Sequence, residues 1–223
     1  MRELYRQDLA QLGIELEHMS HHVHRAISRA VEALREGDLT IAEQTIDADE
    51  RLDDAARSID EMCVGLLALQ GPVASDLRLI LAALRLSQTM ERQGDLARHI
   101  ALIARSTYPA QSIAPDAGPL LTRMGEQAVL MGRLQDELVS TQDLEIAARL
   151  QDEDDALDDL QVQVRKLVVD PDLDLTRSQI IDLVLAARFL ERFGDHAVSV
   201  ARRVAYIVEG ADAPDEEGIH PRL

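Results

Sequence analysis

Four pairs of carboxylates stand four residues apart in this chain: Asp49 and Asp53, Glu91 and Asp95, Asp154 and Asp158, Glu191 and Asp195. On an α-helix, residues i and i+4 share one face, about 6 Å apart along the axis. Two like charges there repel by a few tenths of a kcal/mol in water, and by more where water is partly excluded. A cation between them reverses the sign. Carboxylates with few imidazoles favour hard ions such as Mg²⁺, Ca²⁺ or Mn²⁺, or bridged iron.

Any one such pair is ordinary on a solvated helix face. These recur in both halves of the chain, on two helices of each half, so they could face one another across a bundle. The helical face of Glu191 and Asp195 also carries Val184, Ala187, Gly194 and Val198. Apolar and small neighbours imply a partly shielded strip. Gly94 and Gly194 fall inside helical patterns, where Gly costs about 1 kcal/mol against Ala. Such a glycine admits something close, either another helix or a metal cluster.

Histidine adds little. No Glu-x-x-His, the extra motif of bundle iron sites, occurs at the repeated blocks. His99 follows Asp95 by four residues and His196 follows Asp195 by one, so the two offsets differ. His18, His21, His22 and His24 cluster on the first helix, with ligand-like spacing between His18 and His22. The second half lacks a counterpart, which favours a plain surface or proton-sensitive patch. Phosphate-binding glycine loops, Walker-type lysines and nucleophile–base sets are missing. An enzyme is not expected.

The elements that must position these groups are helices. Apolar residues recur at three- and four-residue steps almost throughout, and alternating β-type runs are missing. Breaks at Gly37-Asp38, Gly71-Pro72, Thr107 to Pro119, Ser140 to Asp143 and Asp170 to Asp172 predict six helices. Their spans are roughly 3–36, 38–69, 75–106, 119–140, 143–168 and 174–208. Short turns between long helices imply antiparallel neighbours.

The two halves read as copies. Asp38-Leu39-Thr40-Ile41-Ala42 recurs 105 residues later as Asp143-Leu144-Glu145-Ile146-Ala147. The block from Asp49 to Asp54 recurs at the same offset as Asp154 to Asp159. Glu91-Arg92-Gln93-Gly94-Asp95 recurs 100 residues later as Glu191-Arg192-Phe193-Gly194-Asp195. Three matched blocks in one order point to an internal duplication of a three-helix unit. The division expected is a first repeat at 1–107, a Pro-rich linker at 108–118, a second repeat at 119–210 and an acidic tail at 211–223.

Composition bounds the function. The 223 residues carry 23 basic and 41 acidic groups, a formal charge of −18, with 46% apolar residues. That is enough to bury a core. The charge argues against nucleic-acid binding, because phosphates meet repulsion over most of the surface. No uncharged apolar run reaches the ~18 residues that span a bilayer, and the N-terminus lacks a signal core. A cytoplasmic protein without membrane insertion is therefore expected. Cys63 is the only cysteine and lies in an apolar stretch, which reads as a buried thiol.

The duplicated Glu-Arg-x-Gly-Asp motif resembles that of the PhoU proteins, phosphate-transport accessory and regulatory proteins of bacteria. Gln70-Gly71-Pro72-Val73-Ala74-Ser75-Asp76-Leu77-Arg78 is similar to the family's entry into its third helix. Phe189 to Ala197, with Val204 to Gly210, is similar to its closing helix. The likeness spans roughly residues 3–210. It implies an all-α fold of six long helices in two pseudo-symmetric antiparallel three-helix bundles.

It also implies a cytosolic negative regulator of the phosphate-starvation response and of phosphate uptake, often a homodimer. Such proteins couple a phosphate ABC transporter, through its ATPase, to a sensor histidine kinase. Some carry an iron cluster or other metal (Mg²⁺, Mn²⁺ or Zn²⁺) on the Asp/Glu-x-x-x-Asp motifs. By position the implied ligands are Asp49, Asp53, Glu91, Asp95, Asp154, Asp158, Glu191 and Asp195. The family often has Asn four residues after the motif's last Asp, where this chain has His99 and Ser199. Leu96 stands where the second copy keeps the family's His, as His196. A competing reading is a carboxylate-bundle protein for metal storage or redox chemistry.

Overall fold

A computed structural model of the chain describes residues 2–108, 113 and 116–210. Most of the Pro-rich segment, including Pro109 and Pro115, and the whole acidic tail at 211–223 lie outside the described residues. Six helices follow in order: α1 Arg2–Glu36, α2 Leu39–Gln70, α3 Ser75–Thr107, α4 Gly118–Thr141, α5 Leu144–Val168 and α6 Arg177–Glu209. No strand occurs among the described residues.

The turns explain the boundaries. Asp38 caps α2 by accepting the Ile41 amide at 3.0 Å, and Asp143 caps α5 by accepting the Glu145 amide at 2.9 Å. Each cap follows a residue in left-handed conformation, Gly37 at φ 64° and Gln142 at φ 56°. The 105-residue repeat therefore runs unbroken from α1–α2 into α4–α5. The sixth helix starts three residues later than the pattern predicts. Thr176 and Gln179 form a reciprocal capping box there, and Asp170 to Leu175 is spent in turns.

Helices α1, α2 and α3 pack mutually as one antiparallel bundle, and α4, α5 and α6 as its pseudo-symmetric partner. Between the bundles, α1 packs on α4 and α3 on α6. Both crossings are antiparallel. Along α3 and α6, Arg78 Nη1 donates to the Gly210 carbonyl at 3.3 Å, and the rings of His99 and Phe189 lie 5.1 Å apart. Along α1 and α4, Val31 abuts Gly125 and Ile27 abuts Gly132. Exchange of the repeats maps each pair onto itself, as an internal twofold requires.

Helices α1, α3, α4 and α6 thus form the centre, with α2 and α5 on the flanks. One hydrophobic cluster runs through both bundles, including Ile27, Met90, Ile100, Met131 and Phe193, each fully buried. A polar lock lies inside it. The amides of Gln93 and Gln135 exchange hydrogen bonds at 2.8 and 3.0 Å, and Gln93 also donates to the Phe193 carbonyl at 3.3 Å. All three groups are buried, so the lock fixes the register of α3 against α4 and α6.

Candidate functional site

The two repeats each set a flank helix against a central one, α2 on α3 and α5 on α6. Glycine sets the distance. A Cβ on Gly94 would lie 2.5 Å from Leu52 Cδ1 and 3.1 Å from Asp49 Oδ1. One on Gly194 would lie 2.8 Å from both Asp154 Oδ1 and Leu157 Cδ2. The mid-helix glycines therefore admit the neighbouring helix. They also let the first carboxylate of each flank helix settle onto the central helix, between the two acids of its motif.

The sequence's pairs accordingly meet in two strips. Asp49, Asp53, Glu91 and Asp95 influence one another in the first, and Asp154, Asp158, Glu191 and Asp195 in the second. The Glu191 strip is shielded as its neighbours imply: Ala187, Gly194 and Val198 are buried, although Val184 is 44% exposed. Glu191 itself is buried.

Electrostatics separate the strips. In the first, Arg98 bridges the helices, 2.6 Å from Asp49 and 2.5 Å from Asp95. Burial still holds Asp49 above the usual carboxylate range, with Arg98 opposing and Asp95 and Asp53 adding to the rise. Glu91 is raised by burial, then by Asp95 and Asp53. In the second, the position matching Arg98 is Val198. The cation there is Arg188, which donates to both oxygens of Glu191 at 2.5 Å from the same helix.

Among the described residues no arginine ties Asp154 to α6 as Arg98 ties Asp49 to α3. Burial, then Asp195 and Asp158, push Asp154 up to about 7. Burial and Asp195 push Glu191 up to about 7 against the pull of Arg188. Asp195 is raised by burial and Asp158, with Arg188, Arg192 and Arg202 opposing. The second strip therefore holds excess negative charge that sits near its titration point at neutral pH.

The donor chemistry of both strips suits a hard dication, which would relieve this repulsion and displace the protons. The side chains do not enclose one. Among the described residues, no three His, Cys, Asp or Glu groups gather as a set that could hold an ion. Arg98 and Arg188 supply the positive charge instead. Imidazole does not help: burial, then Arg192 and Arg92, lower His196 to about 4, and His99 lies against Phe189.

Sequence reasoning missed Arg98 and Arg188, because one arginine among 22 carries no label. It also missed the groove of about 310 Å³ beside the first strip, lined by Asp53, Asp60, Ser87, Gln88 and Glu91. In the histidine cluster, His21 and His24 both point Nδ1 at Asp136 of α4, at 3.1 and 3.6 Å. Cys63 is buried, donates to the Ile80 carbonyl at 3.7 Å, and is pushed up to about 11 by burial, so it stays a thiol.

The family model for the PhoU domain matches twice, at residues 16–104 and 121–204. A phosphate-specific transport system accessory protein, PhoU homolog 2 of Mycobacterium tuberculosis, is 38% identical over 95% of this chain and 99% of its own. PhoU homolog 1 of Mycobacterium leprae is 35% identical over 97% of both chains. The crystal structure of PhoU from Pseudomonas aeruginosa superposes with a TM-score of 0.85 at 29% identity, covering 93% of this chain and all of that one. No helix among the described residues is long and apolar enough to cross a membrane.

Proposed function

The chain belongs to the PhoU family, and on that premise we propose that it is a cytosolic negative regulator of phosphate uptake and of the phosphate-starvation response. It acts by contact, as an adaptor between a phosphate ABC transporter, through its ATPase, and a sensor histidine kinase, and it works as a homodimer. Its two carboxylate strips are the contact elements. They take metal cations or the basic groups of a partner.

The observation that carries this reading is the pair of strips themselves. Each places four carboxylates along one partly shielded seam, and the second retains more negative charge than its own arginines offset. A cation at the second strip would compete with Arg188 for Glu191. A basic partner side chain would do the same. The absence of an assembled imidazole–carboxylate set among the described residues weighs against metal storage as the main role.

Deletion tests the regulatory reading. Phosphate-starvation genes become constitutively expressed in phosphate-rich medium when the protein is absent and no paralogue is present. Normal repression in that strain would overturn it. Elemental analysis of protein purified without chelators separates the adaptor from a storage protein, which needs stoichiometric metal.

A further inference from the structure

A second groove, on the α1 side of α2, has the reverse charge. It lies between α1 and α2, encloses about 290 Å³, and is lined by His22, Arg25, Arg29, Thr45, Asp47 and Arg51. Three arginines against one aspartate stand out in a chain of charge −18. Some arginines elsewhere are held by carboxylates, among them Arg57, Arg98, Arg149 and Arg188. Among the described residues Arg25, Arg29 and Arg51 are in no ion pair, and Arg29 instead donates to Gln44 across the groove.

The duplication supplies a control. At the 105-residue offset, Arg25 corresponds to Leu130, Arg29 to Leu134 and Arg51 to Ala156. The second bundle therefore packs without any of the three. Their place in the first is not a demand of the fold. Arginine as such is uninformative here, since all basic residues but Lys166 are Arg. The convergence of three unpaired ones on a groove is informative.

We propose that this groove binds a phosphate-type dianion, held by the guanidinium groups of Arg25, Arg29 and Arg51. Guanidinium forks match the oxygens of such an anion in pairs and stay charged at any physiological pH. The apolar floor of Ala26, Ala48 and Leu52 gives room for a small body attached to the anion. His22 lies beside the arginines, and burial followed by neighbouring positive charge keeps it on the neutral side of its ordinary value. Neutral, it offers one donor and one acceptor. The protein's overall charge repels anions at long range, but screening limits that to about 8 Å at physiological salt, so the local arginines decide.

Isothermal titration with inorganic phosphate, pyrophosphate and AMP at physiological ionic strength tests this. One phosphate compound per chain binds saturably, and the double variant R25A/R51A loses at least tenfold in affinity. Both arginines are exposed, so the variant folds, as circular dichroism verifies. The variant R123A, on the α4–α5 groove of the second repeat, binds as wild type does. Tightest binding of inorganic phosphate identifies a free anion, and tightest binding of AMP a phosphorylated small molecule. Either supports the site. No binding of the three, equal binding by R25A/R51A, or binding only of a polyglutamate peptide would overturn it.

Discussion

Replacing Asp154 by Asn stabilises the protein above neutral pH and leaves it unchanged in acid. Asp154 lies over Gly194, within reach of the charges of Asp195, Asp158 and Glu191, and burial with that repulsion raises it to about 7. A raised carboxylate pKa means that the folded state holds its proton longer than the unfolded chain does. Stability conferred by the protonated form is present below about pH 4 and lost as pH rises through about 7. Ionising the group in the fold at pH 8 costs at most about 4 kcal/mol, at about 1.36 kcal/mol per decade. Water reaches part of the side chain and Glu191 shares the repulsion, so one substitution recovers about 1–2 kcal/mol. For a chain of this size that is about 2–8 °C in melting temperature. Urea unfolding of wild type and D154N at pH 5 and pH 8 reads the effect directly. The difference at pH 8 is about 1–2 kcal/mol, narrows at pH 5 and closes only below about pH 4. A loss of stability at pH 8, or equal gains at both pH values, would refute the electrostatic account of the second strip.

Arg98→Val makes the first strip resemble the second. It destabilises the protein by about 1–2 kcal/mol at pH 8, since Asp49 and Asp95 lose their shared partner, and the loss shrinks as the carboxylates protonate in acid. Urea titrations at pH 8 and pH 4 check this. Gly194→Ala costs about 1–3 kcal/mol, because its Cβ would strike Asp154 and Leu157 at 2.8 Å. Gly13→Ala, at a helical site with nothing within 4 Å, gains about 0.5–1 kcal/mol, and thermal melts of the two variants separate close approach from helix propensity.

Much of this molecule is legible in its sequence because helices report themselves locally. The 3.6-residue apolar rhythm, Asp38, Asp143 and the Gly-Pro break place five helix starts within a residue or so. The start of α6 is misplaced by three residues because Asp174 and Leu175 fit the helical rhythm, while the start is set by the Thr176–Gln179 box. The carboxylate pairs and Gly94 and Gly194 are visible because duplication prints them twice. Charge compensation is not visible. Arg98 and Arg188 occupy unmatched positions in the two repeats, and their partners are chosen by how α2 and α5 dock. The contact from His21 and His24 to Asp136 spans more than 110 residues and depends on the α1–α4 crossing. The Gln93–Gln135 lock and the arginine groove are equally products of packing.

The carboxylate strips as the regulatory surface are tested most directly by complementation. A deletion strain carrying the quadruple variant E91Q/D95N/E191Q/D195N is assayed with a phosphate-starvation reporter in phosphate-rich medium, alongside urea unfolding of the purified variant. A folded variant, at least as stable as wild type, that fails to restore repression is the predicted result. Full repression by the variant would contradict the assignment of any regulatory role to these side chains.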